Sequence, residues 1–384
     1  MLQKVDKLVA GPPKFYKAKV DGNATIGEPI GVPVYLIFDL ISNTSAGYAL
    51  LGRDDFNRAM KALLKEWHDY LQDKNKDSNR TLPDWFSDAG LAVLQAALGD
   101  LTFDETFVTE QAAPERYKTW DSFFTREFNE KRPKEKDGKD VRPIAPQPTD
   151  QRCYYIYNPC ESTVFRIARN VQERDTFWIK SQNYSLHDML GVDKVDKTKY
   201  PDYAKNVASY VKRLEGGSVL QSFLSPQDFH RYHCPVEGTL LDAVVIEGTY
   251  YAVLPDEGAP EQDLDLAPND PHGALIRSQP WLSISATRAV YIFEPKSPLI
   301  DLVAFVPIGM VEVSSITITA KVGKPINVGD ELGMFHFGGS TYAMVIKLKD
   351  TNHELIFQDL FDSPLRPGQH RWIRSVVGQV WPGK

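Results

Sequence analysis

Apolar residues recur at helical spacing in the first third of the chain and at strand spacing after it. Phe56, Met60, Leu63, Trp67 and Leu71 follow one another at steps of three and four. That pattern predicts an amphipathic helix over 54–72 with Asp54 or Asp55 at its start. Asp84 precedes Trp85, Leu91, Leu94 and Leu98, which predicts a second helix closed by Gly99. Residues 34–41 are nearly all apolar, whereas 1–32 are broken by Pro and Gly and are expected to form an irregular arm. The aromatic and leucine stripe is packing surface rather than a cofactor box. The helical module is expected to end near Pro114. A short helix over 120–128, capped by Asp121 or Ser122, follows it. In 129–142 lysines and arginines mix with acids and no apolar residue precedes Val141, which predicts a solvated linker, extended by Pro143, Pro146 and Pro148.

From Tyr154 the period changes. Residues 154–157, 163–168, 176–179, 218–224, 238–246, 249–254, 289–294, 299–309, 312–320 and 342–347 are β-rich and bounded by Gly, Pro or Asp. Only 185–190 and 200–213 read as helices between them. The expected fold class is α+β: a helical domain over 1–115, a helix and charged linker over 116–150, and an antiparallel-rich β domain over 151–384 with a barrel-sandwich-like C-terminal part. Residues 322–333 resemble the hammerhead turn of biotinyl and lipoyl carriers, but no lysine stands at the tip, which argues against a carrier role.

Composition narrows the function classes. The chain has 384 residues, enough for two or three domains, with 42% hydrophobic and 25% charged residues, as in ordinary globular proteins. A net charge of −7 excludes a general basic field for nucleic acid or an anionic membrane. No window approaches the roughly 18 apolar residues of a membrane span, and the N-terminus lacks a signal-peptide apolar core, so a cytoplasmic protein is expected. Cys153, Cys160 and Cys234 are odd in number and irregular in spacing. They suit a reducing compartment and form neither a disulfide framework nor a zinc motif; no metal site is expected.

Two stretches carry the chemistry. Residues 329–341 read Gly-Asp-Glu-Leu-Gly-Met-Phe-His-Phe-Gly-Gly-Ser-Thr, a turn, a short strand at 334–337, two glycines and a serine before the next apolar run. Alone, Gly338-Gly339 would be a turn between strands. Upstream stands Asp228-Phe229-His230-Arg231-Tyr232-His233-Cys234-Pro235. Two histidines three apart beside a cysteine are, by themselves, a structural pair or a metal half-site with His336 as a distant third ligand. Taken together the two stretches resemble the phosphatidylserine decarboxylase family, whose members cut themselves before such a serine and convert it into a pyruvoyl group. Further likenesses are Gln182-Asn183-Tyr184-Ser185-Leu186 and Arg288-Ala289-Val290, so the resemblance spans about 120–346.

The resemblance implies cleavage between Gly339 and Ser340, with the serine hydroxyl attacking the carbonyl of Gly339, and a covalent pyruvoyl group made from Ser340 as the cofactor. That group would take the substrate amine as a Schiff base and act as electron sink. It implies His233 as the base for Ser340, and His230 as proton donor near the substrate carboxylate, with Phe337 and Gly338 lining the substrate site. Glu161, in Asn158-Pro159-Cys160-Glu161-Ser162, stands where the family has an aspartate and would orient His233 with one methylene more. The two cleaved pieces would stay associated. Residues 31–38 and 43–48 look like the N-terminal region of the soluble fungal L-tryptophan decarboxylases of this superfamily. The expected substrate is therefore a small molecule, a free aromatic L-amino acid, with phosphatidylserine as the alternative of like chemistry. The oligomeric state is left open, a homo-oligomer included. Two readings of other classes stay open: a metal-dependent hydrolase using His230, His233 and His336, and a non-enzymatic binding module.

Overall fold

The computed structural model describes residues 2–20, 24–29, 34–130, 140–174, 184–254, 277–312 and 315–383. The expected irregular arm contains α1 (Leu2–Val9) and an antiparallel hairpin of β1 (Phe15–Val20) and β2 (Ala24–Pro29). The β-prone run from Phe15 to Val20 outweighs the Gly and Pro around it. Then come α2 (Tyr35–Ser42), α3 (Ser45–Leu51), α4 (Asp54–Gln72), α5 (Leu82–Trp85), α6 (Asp88–Gln95), α7 (Phe103–Thr106) and α8 (Trp120–Phe124). The amphipathic helix α4 buries Met60, Leu64, Trp67 and Leu71, with Asp54 and Asp55 in its first turn. The second predicted helix is two, because Ser87 caps α6 by accepting a hydrogen bond from the Gly90 amide. At α8 the cap is Thr119, which forms a reciprocal capping box with Ser122. The Asp121 carboxylate is thereby released for use elsewhere.

The strand-rich part runs β3 (Tyr154–Tyr157), β4 (Ser162–Arg169), α9 (Leu186–Met189), α10 (Pro201–Leu214), β5 (Ser218–Leu224), β6 (Arg231–His233), β7 (Gly238–Ile246), α11 (Gln279–Ser285), β8 (Arg288–Pro295), β9 (Ile300–Met310), β10 (Ile316–Ile318), β11 (Pro325–Ile326), β12 (Glu331–Phe335), β13 (Gly339–Leu348), β14 (His353–Ile356), β15 (His370–Arg371) and β16 (Val376–Pro382). An eight-stranded antiparallel sheet of order β11-β7-β8-β9-β13-β5-β4-β15 forms the centre, with three-stranded sheets β10-β12-β6 and β14-β16-β3 beside it. The class is α+β, and the large sheet is open rather than closed into a barrel. Residues 249–254 hold only the isolated bridge Thr249–Ala286, and of 315–320 only Ile316–Ile318 form a strand, β10. The predicted strand at 176–179, residues 182–183 and most of the charged run (131–139) lie outside the described residues.

Strand β13 lies between β9 and β5, and Gly339 to Ile346 are all buried. It reads as a continuous apolar run because α10 packs against it from one side. The chain enters β13 directly from β12, a member of the small sheet, through His336, Phe337 and Gly338. Gly338 makes this crossing at φ +140°, a conformation that L side chains rarely adopt. Ser340 is therefore the second residue of the central strand, paired with Gly309 and Leu224.

Candidate active site

The hydroxyl of Ser340 is fully buried and has no hydrogen-bond partner. A buried, unpartnered hydroxyl costs about 1–3 kcal/mol relative to a satisfied one, and such orphans collect where chemistry needs a free group. The residues before it are pinned. Phe337 sits edge-on to Trp120 and Trp67 at 4.6 and 5.2 Å between ring centroids, and to Phe124 at 5.7 Å. His336 is held by Asp121, with Nδ1 2.9 Å from Oδ1, and by Thr317, with Nε2 2.9 Å from Oγ1. Side chains of α4 and α8 thus clamp the segment that precedes the glycine pair.

The histidine motif is joined by strand pairing to β12, the strand that leads into this junction. β6 lies antiparallel to β12 with His233 opposite Glu331, and the Phe335 amide donates to the His230 carbonyl at 3.0 Å. Arg231 donates to Glu331 at 2.7 Å and to the Thr125 carbonyl at 2.8 Å, tying β6 to α8. Asp228 accepts from the Ser225 amide at 2.7 Å and meets His370 Nε2 at 3.2 Å; burial pushes its carboxyl up. Phe229 stacks on Phe128 at 3.9 Å. Arg126 donates to the carbonyls of Gln227 and Asp228, and burial lowers its guanidinium to about 10.

His230 is fully buried, stacked on Phe124 at 3.8 Å, and neither ring nitrogen has a hydrogen-bond partner. Burial first, and the Arg126 charge second, hold it well below the ordinary histidine range, so the ring is neutral at pH 7. His233 is also held well below that range, by burial and then by Arg374 and Arg231. Its Nδ1 accepts a hydrogen bond from Arg374 Nε at 3.0 Å, and Arg374 pairs in turn with Glu130 at 2.7 Å.

Glu161 does not hold His233. Its carboxylate takes a two-pronged contact from Arg142, at 2.6 and 3.1 Å, and the Ile373 amide at 3.3 Å. Both side chains are almost wholly buried, at 1% and 2% exposure. A bidentate guanidinium–carboxylate pair outcompetes a neutral imidazole N–H for the same oxygens. The correction extends to the charged run: Arg142, placed in a solvated linker by composition, is a core residue over the Trp372 ring at 4.6 Å. Arg142 and Arg374 were missed because their partners lie far along the chain and no local spacing marks them.

Two further motifs serve as scaffold. Ser185 caps α9, and Tyr184 donates to Gln221 at 2.7 Å. Arg288, fully buried, donates to the Asp188 and Met189 carbonyls at the end of that helix. The three histidines of the hydrolase reading do not converge: among the described residues the one group of three possible ligands is His68, Asp121 and His336. Beside Arg374 opens a cleft of about 480 Å³, lined by Arg142, Ile144, Phe361, Trp372 and Arg374 among others. Among the described residues no helix is long and apolar enough to cross a membrane.

Comparison with known proteins places the chain in a family. A phosphatidylserine decarboxylase family model matches residues 120–362, and a second model of that description matches 1–94. The chain is 40% identical to the decarboxylase iboD of Amanita muscaria over 347 residues, 89% of this chain and 91% of that one. It is 32% identical to the L-tryptophan decarboxylase of Psilocybe cyanescens over 376 residues, 95% of this chain and 76% of the relative. Similarity to the phosphatidylserine decarboxylase proenzyme 2 of Komagataella phaffii is 30% over 264 residues, covering 68% of this chain and 21% of the longer protein. The clamped Gly-Gly-Ser junction, the buried histidine pair and these matches together establish the chain as a decarboxylase belonging to the phosphatidylserine decarboxylase family.

Proposed function

We propose that the chain is a self-processing, pyruvoyl-dependent decarboxylase of a free aromatic L-amino acid. The observation that carries this reading is the buried, unpartnered Ser340 hydroxyl directly after a glycine pair whose first member is held at φ +140°. Attack of Oγ on the Gly339 carbonyl carbon moves the acyl group from nitrogen to oxygen. Elimination of that ester frees the carboxylate of Gly339 and leaves a dehydroalanine, which takes up water and loses ammonia to become pyruvoyl. Gly339 has no side chain to obstruct the approach. When formed, the pyruvoyl carbonyl supplies the electron sink for loss of carbon dioxide.

The protein side of the chemistry falls to the two histidines. His233 is the proposed base for the Ser340 proton. It must present a bare nitrogen to that hydroxyl, so the Arg374 contact at Nδ1 is exchanged for an acceptor at the cleavage step. His230, with both nitrogens free, is the proposed partner of the substrate carboxylate and the proton donor after decarboxylation. An incoming carboxylate reverses the depression of its pKa by supplying an opposite charge. Glu161 acts through the fold, as counter-ion of the buried Arg142. The piece 340–384 stays bound after cleavage because β13 keeps its ladders to both β9 and β5. Three buried, unpaired cysteines suit a cytosolic enzyme.

The substrate class rests on the tryptophan decarboxylase relatives. Carbon dioxide release from tryptophan, phenylalanine, glutamate and serine, and from phosphatidylserine vesicles, tests it. Turnover of an aromatic amino acid at least tenfold above the others is expected. Turnover of the vesicles alone, or of an acidic amino acid alone, overturns the substrate assignment.

A further inference from the structure

His68 on α4, Asp121 on α8 and His336 just before the cleavage junction come from three separate stretches of chain, and their possible ligand atoms all lie within 4.8 Å of one another. We propose that these three side chains form a binding site for one divalent transition-metal ion of the zinc class, distinct from the serine–histidine machinery.

Two nitrogens and a carboxylate oxygen are a donor set that such ions favour, with a water completing a tetrahedron. The outer shell is already in place. His336 Nδ1 faces Asp121 Oδ1 at 2.9 Å, while the far atom of each group is held by a neutral partner: Thr317 Oγ1 at 2.9 Å from His336 Nε2, and Gln72 Nε2 at 3.1 Å from Asp121 Oδ2. A ligating imidazole ordinarily has its second nitrogen fixed in this way. Without an ion, Nδ1–H donates to Asp121 and Nε2 accepts from Thr317. With one, the proton moves to Nε2, which donates to Thr317, and Nδ1 turns its lone pair to the metal. Gln72 Nε2 also lies 3.4 Å from Nδ1, a contact the ion would replace. Two ligand atoms on a tetrahedral ion stand about 3.3 Å apart, so the Asp121–His336 contact need open by only a few tenths of an ångström.

His68 completes the set. Its ring stands edge-on to His336 at 4.5 Å between centroids. Asp121 and His336 are buried, whereas His68 is only half-buried, which leaves a solvent side for an ion to enter. A bound ion would join α4 and α8 to the residue two before Gly338. After self-cleavage it would hold the new C-terminus at Gly339 in place.

The test is a Co²⁺ titration of the full-length chain after treatment with a chelator. One equivalent should bind and give the visible absorption of a four-coordinate nitrogen–oxygen site, displaced by Zn²⁺. His68→Gln should weaken binding by about 100-fold or more, and Thr317→Val, which alters only the outer shell, by about 10–100-fold. Circular dichroism confirms that each variant is folded; if His68→Gln fails that check, the Thr317→Val arm decides. The proposal is overturned if Co²⁺ gives no such absorption, or if it binds the folded variants as tightly as the wild type.

Discussion

Removing the Glu161 carboxylate should destabilise the protein far more than removing a surface acid, and the loss should be largely recovered by removing Arg142 as well. The pair is bidentate, at 2.6 and 3.1 Å, with almost no exposure on either side. Breaking a buried pair by deleting one partner strands a charge and costs about 3–5 kcal/mol, a large share of a typical total of about 5–15 kcal/mol. Replacing both partners by apolar residues of similar volume is often close to neutral. Arg142 also donates to the Val141 and Ala97 carbonyls, so recovery should be incomplete. Glu161→Leu and Arg142→Met should each lose about 3–5 kcal/mol, with the double variant losing only about 2 kcal/mol, far less than the sum of the singles. Urea unfolding followed by tryptophan fluorescence measures this. Single effects that add to within about 0.5 kcal/mol would refute the pairing. The same double variant separates the two roles considered for Glu161: if the carboxylate acts only through Arg142, it cleaves as the wild type does. A folded double variant that remains uncut would return Glu161 to His233.

Other outcomes follow from the same geometry. His233→Ala should abolish self-cleavage, whereas His230→Ala should still be cut but decarboxylate more slowly by about 10²–10⁴-fold, as read from processing on denaturing gels and carbon dioxide release. Phe337→Ala, which empties the space between Trp67, Trp120 and Phe124, should cost about 3–5 kcal/mol in unfolding free energy and slow cleavage as the loop loosens. Buried Glu312 accepts from the Val34 and Tyr35 amides, and burial raises its carboxyl to about 8. A folded-state value above the unfolded one means that its stabilisation is complete below about pH 4.5 and is lost as pH rises through about 8. Urea midpoints of Glu312→Gln should therefore overtake those of the wild type between pH 5 and pH 8.5, by up to about 4–5 kcal/mol in the limit.

Much of the fold was legible in the sequence because its signals are local. Period 3.6 marked α4 and α10, and long β-branched runs marked β7, β8, β9 and β13 to within a few residues. Short strands such as β6 and β15 carry too few residues for a period, and they exist because β12 and β4 offer partners. At the candidate site, motifs singled out Ser340, His230 and His233 as candidates. The residues that set their electrostatics were not, since Arg374 reaches His233 across 141 positions and Asp121 reaches His336 across 215. Glu161 was misassigned as the partner of His233 for the same reason: motif position indicates that a carboxylate is near, but only packing shows which cation claims it.

The intact mass of freshly purified protein under denaturing conditions, beside that of Ser340→Ala, tests the central claim most directly. The wild type should appear as two species, residues 1–339 and residues 340–384, the second lighter by one ammonia than a serine-initiated peptide, while Ser340→Ala remains one chain. A wild-type preparation that turns over substrate as a single uncut chain, or a C-terminal piece that begins with an unmodified serine in an active enzyme, would contradict it.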